Sequence, residues 1–179
     1  SNNITQDDLI LVSRDIGAHG ATIFTAREGM DMHSNLKSDC NSLYPQVKAL
    51  IDAGVKITAL RDATRGGVSA VLNEWAKQSN ICIEVEEENI PVSDEVKGIC
   101  EMLGFEATNL ANEGTFVLAI KKEDVAKAIE ILHKFSEASN ACIIGKVTQQ
   151  YPQKVILNSS WGTKRFLDTP SGELLPRIC

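Results

Sequence analysis

The chain runs to 179 residues and its last residue is a cysteine, Cys179. A cysteine in the final position cannot be packed by chain on both sides. Two readings remain: an incidental exposed thiol, or a carrier thiol on a swinging arm. Pro170, Gly172 and Pro176 prevent a helix between Thr169 and Cys179 and favour an extended strip. Ten extended residues at ~3.3 Å each reach ~33 Å, enough to carry a thiol-bound group between two active sites. Arg177 favours the thiolate, whereas the terminal carboxylate disfavours it. That balance suits a carrier, which needs moderate nucleophilicity together with a competent leaving group.

Further candidates lie inside the chain. Arg61-Asp62-Ala63-Thr64-Arg65-Gly66-Gly67 falls between a predicted strand and a predicted helix. Gly66 and Gly67 allow another backbone to approach closely, and a helix N-terminus offers unpaired N–H groups to an anion. The plainer reading is a tight turn with Asp62 or Thr64 as the helix cap. The GK[ST] ending of a P-loop is missing. Glu113, in Asn112-Glu113-Gly114 before a strand, is either a turn former or a general base. His19 lies in the glycine-flanked segment Asp15-Ile16-Gly17-Ala18-His19-Gly20 and is either a solvated turn histidine or part of a site. Asp31, His33 and Asp39 have the chemistry of metal ligands, but their spacing is irregular and no metal is assigned to them.

These residues need a frame. Leu9 to Ser13 reads as a strand, and Gly17 to Glu28 as a helix with Ile23, Phe24 and Ala26 inward, closed by Gly29. Asp31 to Asn41 is a polar loop. Pro45 opens a helix whose inner face is Val47, Leu50 and Ile51, ending at Gly54. Val55 to Leu60 is a strand, and Gly66 to Gln78 a helix burying Val68, Val71, Leu72 and Trp75. A strand at Ile81 to Val85 precedes a helix capped by Ser93 and running to Leu103. Thr115 to Ile120 is a strand, and Glu123 to Phe135 an amphipathic helix through Val125, Ala128, Ile129 and Leu132. Strands at Cys142 to Val147, Lys154 to Leu157 and Lys164 to Leu167 follow, the last two paired around Ser159-Ser160-Trp161-Gly162. This order predicts an α+β fold: one mixed, largely antiparallel sheet covered by helices, with an extended C-terminal tail. The expected division is a domain over residues 4–168 and a mobile tail over 169–179.

Composition narrows the function. A net charge of −6 with no run of Lys or Arg argues against a nucleic-acid or membrane-surface partner. No apolar run approaches the ~18 residues of a bilayer span. The opening Ser1-Asn2-Asn3 lacks the apolar core of a signal peptide. The five cysteines are odd in number and none are at CxxC spacing, which fits a reducing, cytoplasmic setting. Cys82, Cys100 and Cys142 sit in apolar segments and are expected in the core.

Taken together, Ser13-Arg14-Asp15-Ile16-Gly17-Ala18-His19-Gly20, Arg61 to Gly67, Ala111-Asn112-Glu113-Gly114 and Pro176-Arg177-Ile178-Cys179 resemble the HypE family of hydrogenase maturation factors. These are carbamoyl dehydratases related to aminoimidazole ribonucleotide synthetase. The likeness runs in order over essentially the whole chain, with Ala63 where the family usually has proline. The resemblance implies the C-terminal domain of that fold, lacking the N-terminal ATP-binding domain. It implies that the carbamoyltransferase HypF loads a carboxamide onto Cys179. The tail then enters a site holding ATP with Mg2+, and Glu113 takes a proton as the amide is dehydrated to a nitrile. Arg177, Asn112, His19, Asp62, Thr64, Arg65, Gly66 and Gly67 would position tail or substrate. The cyanide would pass to iron on a HypC–HypD complex, and the full-length protein would be a homodimer. The domain alone is expected to be inactive and to carry no cofactor. The alternatives are another ATP-dependent synthetase of the superfamily, a non-catalytic docking module, or a metal chaperone using Cys179 with His33.

Overall fold

The computed structural model describes residues 3–27 and 36–169. The elements are β1 (Leu9–Val12), α1 (Ala18–Arg27), α2 (Tyr44–Asp52), β2 (Ile57–Asp62), α3 (Gly67–Ser79), β3 (Cys82–Glu86) and α4 (Asp94–Leu103). They continue with β4 (Phe116–Ile120), α5 (Val125–Leu132), β5 (Cys142–Thr148), β6 (Lys154–Asn158) and β7 (Lys164–Phe166). The seven strands form one sheet in the order β2-β4-β1-β5-β3-β6-β7. Every neighbouring pair is antiparallel except β3 with β6. The expected α+β fold with one mixed, largely antiparallel sheet is what forms.

Period-two alternation sorts the sheet residues between two cores. Ile10, Val12, Val117, Ala119, Ile83, Val85 and Val155 face α3, which meets them with Val68, Val71, Leu72 and Trp75. Leu11, Phe116, Leu118 and Ile120 face the other way, onto Leu50 of α2 and Val125, Ala128 and Leu132 of α5. β4 is therefore buried on both faces, as its unbroken apolar run requires. α1 and α4 pack on each other through Ala21, Val96 and Ile99, and Leu110 from the segment before β4 joins this cluster. Ser93 caps α4 as expected, its Oγ accepting from Val96 N–H at 3.4 Å, and Asp94 and Glu95 complement the helix dipole.

Several expectations are corrected. Ala26 is exposed rather than inward. In α2 it is Gln46 that joins Leu50 inside, while Ile51 is 62% exposed. β2 starts two residues later than Val55, at Ile57. Neither Asp62 nor Thr64 caps α3: the cap residue is Gly66, at φ 73°, with no side-chain cap. Gly67 follows at φ 61°, and a Cβ there would lie 2.5 Å from the carbonyl oxygens of Leu110 and Thr108. The turn is thus shaped by close backbone packing, which only glycine permits. Cys82 and Cys100 are core residues, but Cys142 is only partly buried and its thiol donates to Asn89 O at 3.3 Å.

Candidate active site

Antiparallel register brings the separated motifs to one end of the sheet. Asp62, last in β2, pairs with Phe116, first in β4. Val12, last in β1, pairs with Val117 and with Cys142. The segments after β1 and β2 and before β4 and β5 therefore share one rim.

Asn112 joins them. It is fully buried, and its side-chain Oδ1 accepts from Gly17 N–H at 2.7 Å. Its Nδ2 donates to Ala63 O at 2.9 Å and Leu110 O at 3.1 Å. Its backbone N–H also donates to Ala63 O, at 3.1 Å, and Ala63 N–H donates to Thr115 O at 3.0 Å. One amide thus ties together all three described motifs. Its polar atoms are used within the protein, so any positioning it does acts through the backbone.

Glu113 sits beside it with the opposite exposure. Its side chain faces solvent, while its backbone N–H donates to Asp39 Oδ1 at 3.0 Å. Asp39 Oδ2 also accepts from Gly114 N–H at 2.9 Å and from Thr115 Oγ1 at 2.8 Å. Gly114 is required there, since a Cβ would lie 1.8 Å from Asp39 O. The residue typed as a metal ligand in the sequence is instead a buried anchor for this loop. Sequence reasoning missed it because Asp39 lies 74 residues from Glu113, and no periodic pattern links a polar loop to a strand entrance so far away. Ser13, the first residue of its motif, is fully buried and accepts from Phe116 N–H at 3.0 Å.

The remaining predicted residues are spread around the same rim. Asp62 and Arg65 are exposed and Thr64 half-buried, and their side chains make no hydrogen bond or ion pair with any described residue. Arg61 is taken up by an ion pair with Glu74. His19 Nδ1 lies 2.9 Å from Ser38 Oγ, and Arg14 Nη1 donates to Asp39 O at 3.4 Å. Asp15 accepts from Asn140 Nδ2 at 2.8 Å. Burial pushes the Cys142 thiol up, and the charge of Asp15 adds to it. Glu137 is held below the usual carboxylate range by its own backbone N–H and the Ser136 hydroxyl, with lesser help from Asn41 and Arg14.

Asp31, His33, Arg177 and Cys179 lie outside the described residues. Among the described residues, no three His, Cys, Asp or Glu side chains come together as a metal site. No helix of the described residues is long and apolar enough to cross a membrane. A cavity of about 490 Å³ lies elsewhere, lined by residues including Cys100, Phe105 and Arg165, and none of the predicted site residues lines it.

The sheet order and the motif-bearing rim define the class: the chain belongs to the family of AIR synthase related protein C-terminal domains, whose pattern matches residues 5–158. Within that family its similarity is to carbamoyl dehydratase HypE. The Escherichia coli HypE sequence is 43% identical over 180 residues, covering 100% of this chain and 52% of the relative. The crystal structure of that bacterium's HypE matches with a TM-score of 0.92 at 42% identity, over 99% of this chain and 54% of the other. A HypE structure in complex with ATP matches with a TM-score of 0.93 at 32% identity, over 99% and 54% of the two chains. A HypE–HypF complex matches with a TM-score of 0.89 at 37% identity, over 94% and 55%. The thiamine monophosphate kinase of Aquifex aeolicus, at 19% identity and a TM-score of 0.64, shares the fold alone. The chain spans about half the length of the curated relatives it matches.

Proposed function

We propose that this chain is the C-terminal domain of an ATP-dependent carbamoyl dehydratase that makes cyanide for the iron of [NiFe]-hydrogenase. Residues 4–168 form the domain and residues 169–179 the arm that carries Cys179. The observation that best supports the reading is the pairing at Asn112-Glu113: a fastened backbone carrying an exposed carboxylate with no described partner. A general base has to be both fixed in place and free to accept a proton.

On this reading HypF supplies the carboxamide to the Cys179 sulfur. ATP is a substrate and, with Mg2+, belongs mainly to the half of the full-length protein outside this chain. Gly67 is packed against the carbonyls of Leu110 and Thr108. What ATP supplies is phosphorylation of the amide oxygen, which turns a poor leaving group into a good one. Both nitrogen protons must then be lost. Glu113 takes one as the C–O bond breaks with its electron pair going to phosphate, and the other is taken up with the phosphate. One S-carboxamide and one ATP give one S-cyanide, ADP and phosphate. Asp62, Thr64, Arg65 and His19 surround the incoming tail, Arg177 positions it from within the tail, and Asn112, Gly66 and Gly67 hold the backbone beneath it. Sulfur serves both ends, accepting the carbamoyl group and later releasing cyanide to a HypC–HypD complex in the cytoplasm. The full-length protein acts as a homodimer.

The test is the intact mass of the full-length protein after incubation with HypF, carbamoyl phosphate and ATP. Wild type gains one carboxamide and then loses one water. Glu113→Gln gains the carboxamide and dehydrates it ~10²–10⁴-fold more slowly, and Cys179→Ser yields no cyanide. A Glu113→Gln protein that dehydrates at the wild-type rate removes Glu113 from the mechanism.

A further inference from the structure

We infer that Asp39 is a positioning residue for the dehydration step, acting through the backbone of Glu113. The inference rests on the assignment of Glu113 as base. Asp39 is 3% exposed, and its two carboxylate oxygens take the N–H of Glu113 at 3.0 Å, the N–H of Gly114 at 2.9 Å and the hydroxyl of Thr115 at 2.8 Å. Among the described residues this buried carboxylate accepts from one short loop, and it fixes that loop as a unit because leaving a buried N–H or a buried charge without its partner is costly.

The anchor is itself held. Arg14 donates to the Asp39 carbonyl at 3.4 Å, and Ser38, one residue earlier, meets His19 at 2.9 Å. Ser38 Oγ also accepts from Cys40 N–H at 3.1 Å. The Arg14–His19 segment therefore grips Ser38–Asp39, and Asp39 grips Glu113–Thr115. Asn112 closes the loop from the other side by taking the N–H of Gly17. The base is fixed at its backbone from two directions, and its side chain is left free to reach a substrate.

The near-isosteric change Asp39→Asn isolates this. Two of the three donors meet Oδ2 and one, the Glu113 N–H, meets Oδ1. An asparagine keeps its oxygen where two donors converge and turns its NH2 toward the Glu113 N–H, donor against donor. The fault falls on the backbone of the base itself, and a shift of about 1 Å at a reacting group costs up to ~10²-fold.

The experiment uses the full-length protein with HypF, carbamoyl phosphate and ATP, following carboxamide loading and its dehydration separately by intact mass. Asp39→Asn should load Cys179 at the wild-type rate, dehydrate ~10–100-fold more slowly and keep the wild-type KM for ATP. The double variant Asp39→Asn, Glu113→Gln should dehydrate no more slowly than Glu113→Gln alone, because a misplaced base and an absent base fail at the same step. A purely structural fault would instead multiply with the Glu113→Gln loss. Wild-type dehydration by a folded Asp39→Asn protein, beside a slow Glu113→Gln protein, overturns the inference while leaving the base assignment standing. Wild-type dehydration by Glu113→Gln overturns both. If Asp39→Asn does not fold, Thr115→Val takes its place: it removes one donor from the same carboxylate, is expected to slow dehydration several-fold with loading unchanged, and overturns the inference if it does not.

Discussion

Replacing Asn112 separates packing from hydrogen bonding at the centre of the rim. Asn112→Ala strands the Gly17 N–H, which is buried and has lost its acceptor at 2.7 Å. An orphaned buried donor costs about 1–3 kcal/mol. Leu110 O loses its donor as well, whereas Ala63 O keeps the backbone N–H of residue 112 at 3.1 Å. Adding the small void gives roughly 3–5 kcal/mol. At about 2–4 °C per kcal/mol for a chain of this size, the melting temperature falls by roughly 10 °C. Asn112→Asp is the sharper probe. One oxygen still accepts from Gly17 N–H, but the other now faces the Ala63 and Leu110 carbonyls, acceptor against acceptor. The folded state therefore favours the protonated acid, whose O–H can donate to one carbonyl, and the folded pKa rises above the unfolded value of about 3.9. A raised pKa means stability that is fully present below the unfolded value and lost as pH rises through the folded one. Urea denaturation of wild type and variant across pH reads this directly: the deficit should be large at neutral pH and shrink under acid. A variant as stable as wild type at neutral pH would show that the amide does not make these three side-chain bonds.

Gly114→Ala should be poorly tolerated, because its Cβ would sit 1.8 Å from a backbone oxygen that cannot swing aside; a loss above ~3 kcal/mol in urea denaturation is expected, and a loss below ~1 kcal/mol would contradict the packing. The thiols of Cys100 and Cys142 are pushed up, chiefly by burial and then by the charges of Glu101 and Asp15 respectively. Their folded pKa values exceed the unfolded ones, so their contribution to stability is full below the ordinary thiol value of about 8.5 and drains away as pH rises through the raised values. The urea midpoint should fall on the alkaline side, and the fall should be smaller in Cys100→Ala.

The sequence announced what repeats with a short period. Val68, Val71, Leu72 and Trp75 could be placed on one face because a helix brings positions i, i+3, i+4 and i+7 together, and the apolar run Thr115 to Ile120 could be read as a strand. Ser93 was legible as a cap because the capping rule is local. α2 was misread on its outer turn: Ile51 and Gln46 exchange places because burial there follows the approach of α5 and β4. The rim failed for a related reason. Glu113, Asn112 and the Gly66–Gly67 turn stand out by residue type, but Asp39 joins them through bonds spanning 74 to 76 residues. Register across β2, β4 and β1 brings the strand-borne motifs together, and Asp39 reaches them from the segment before α2, where no local pattern fixes its partner.

That geometry divides the motif residues into two kinds that look alike in sequence. Asn112, Gly67, Gly114 and Asp39 turn inward, with their polar atoms or bare Cα positions spent on one another. Glu113, Asp62 and Arg65 turn outward from the same turns. The alternation at 112 and 113 is the extreme case: adjacent residues, one wholly buried and one in solvent. Changes to the outward group should leave folding almost untouched, since surface substitutions away from packed features fall within ~0.5 kcal/mol. Changes to the inward group should lower stability, and should slow chemistry only so far as they move the outward group. Asp39 is where the two effects meet, because it is buried yet its contacts end on the backbone of the exposed carboxylate.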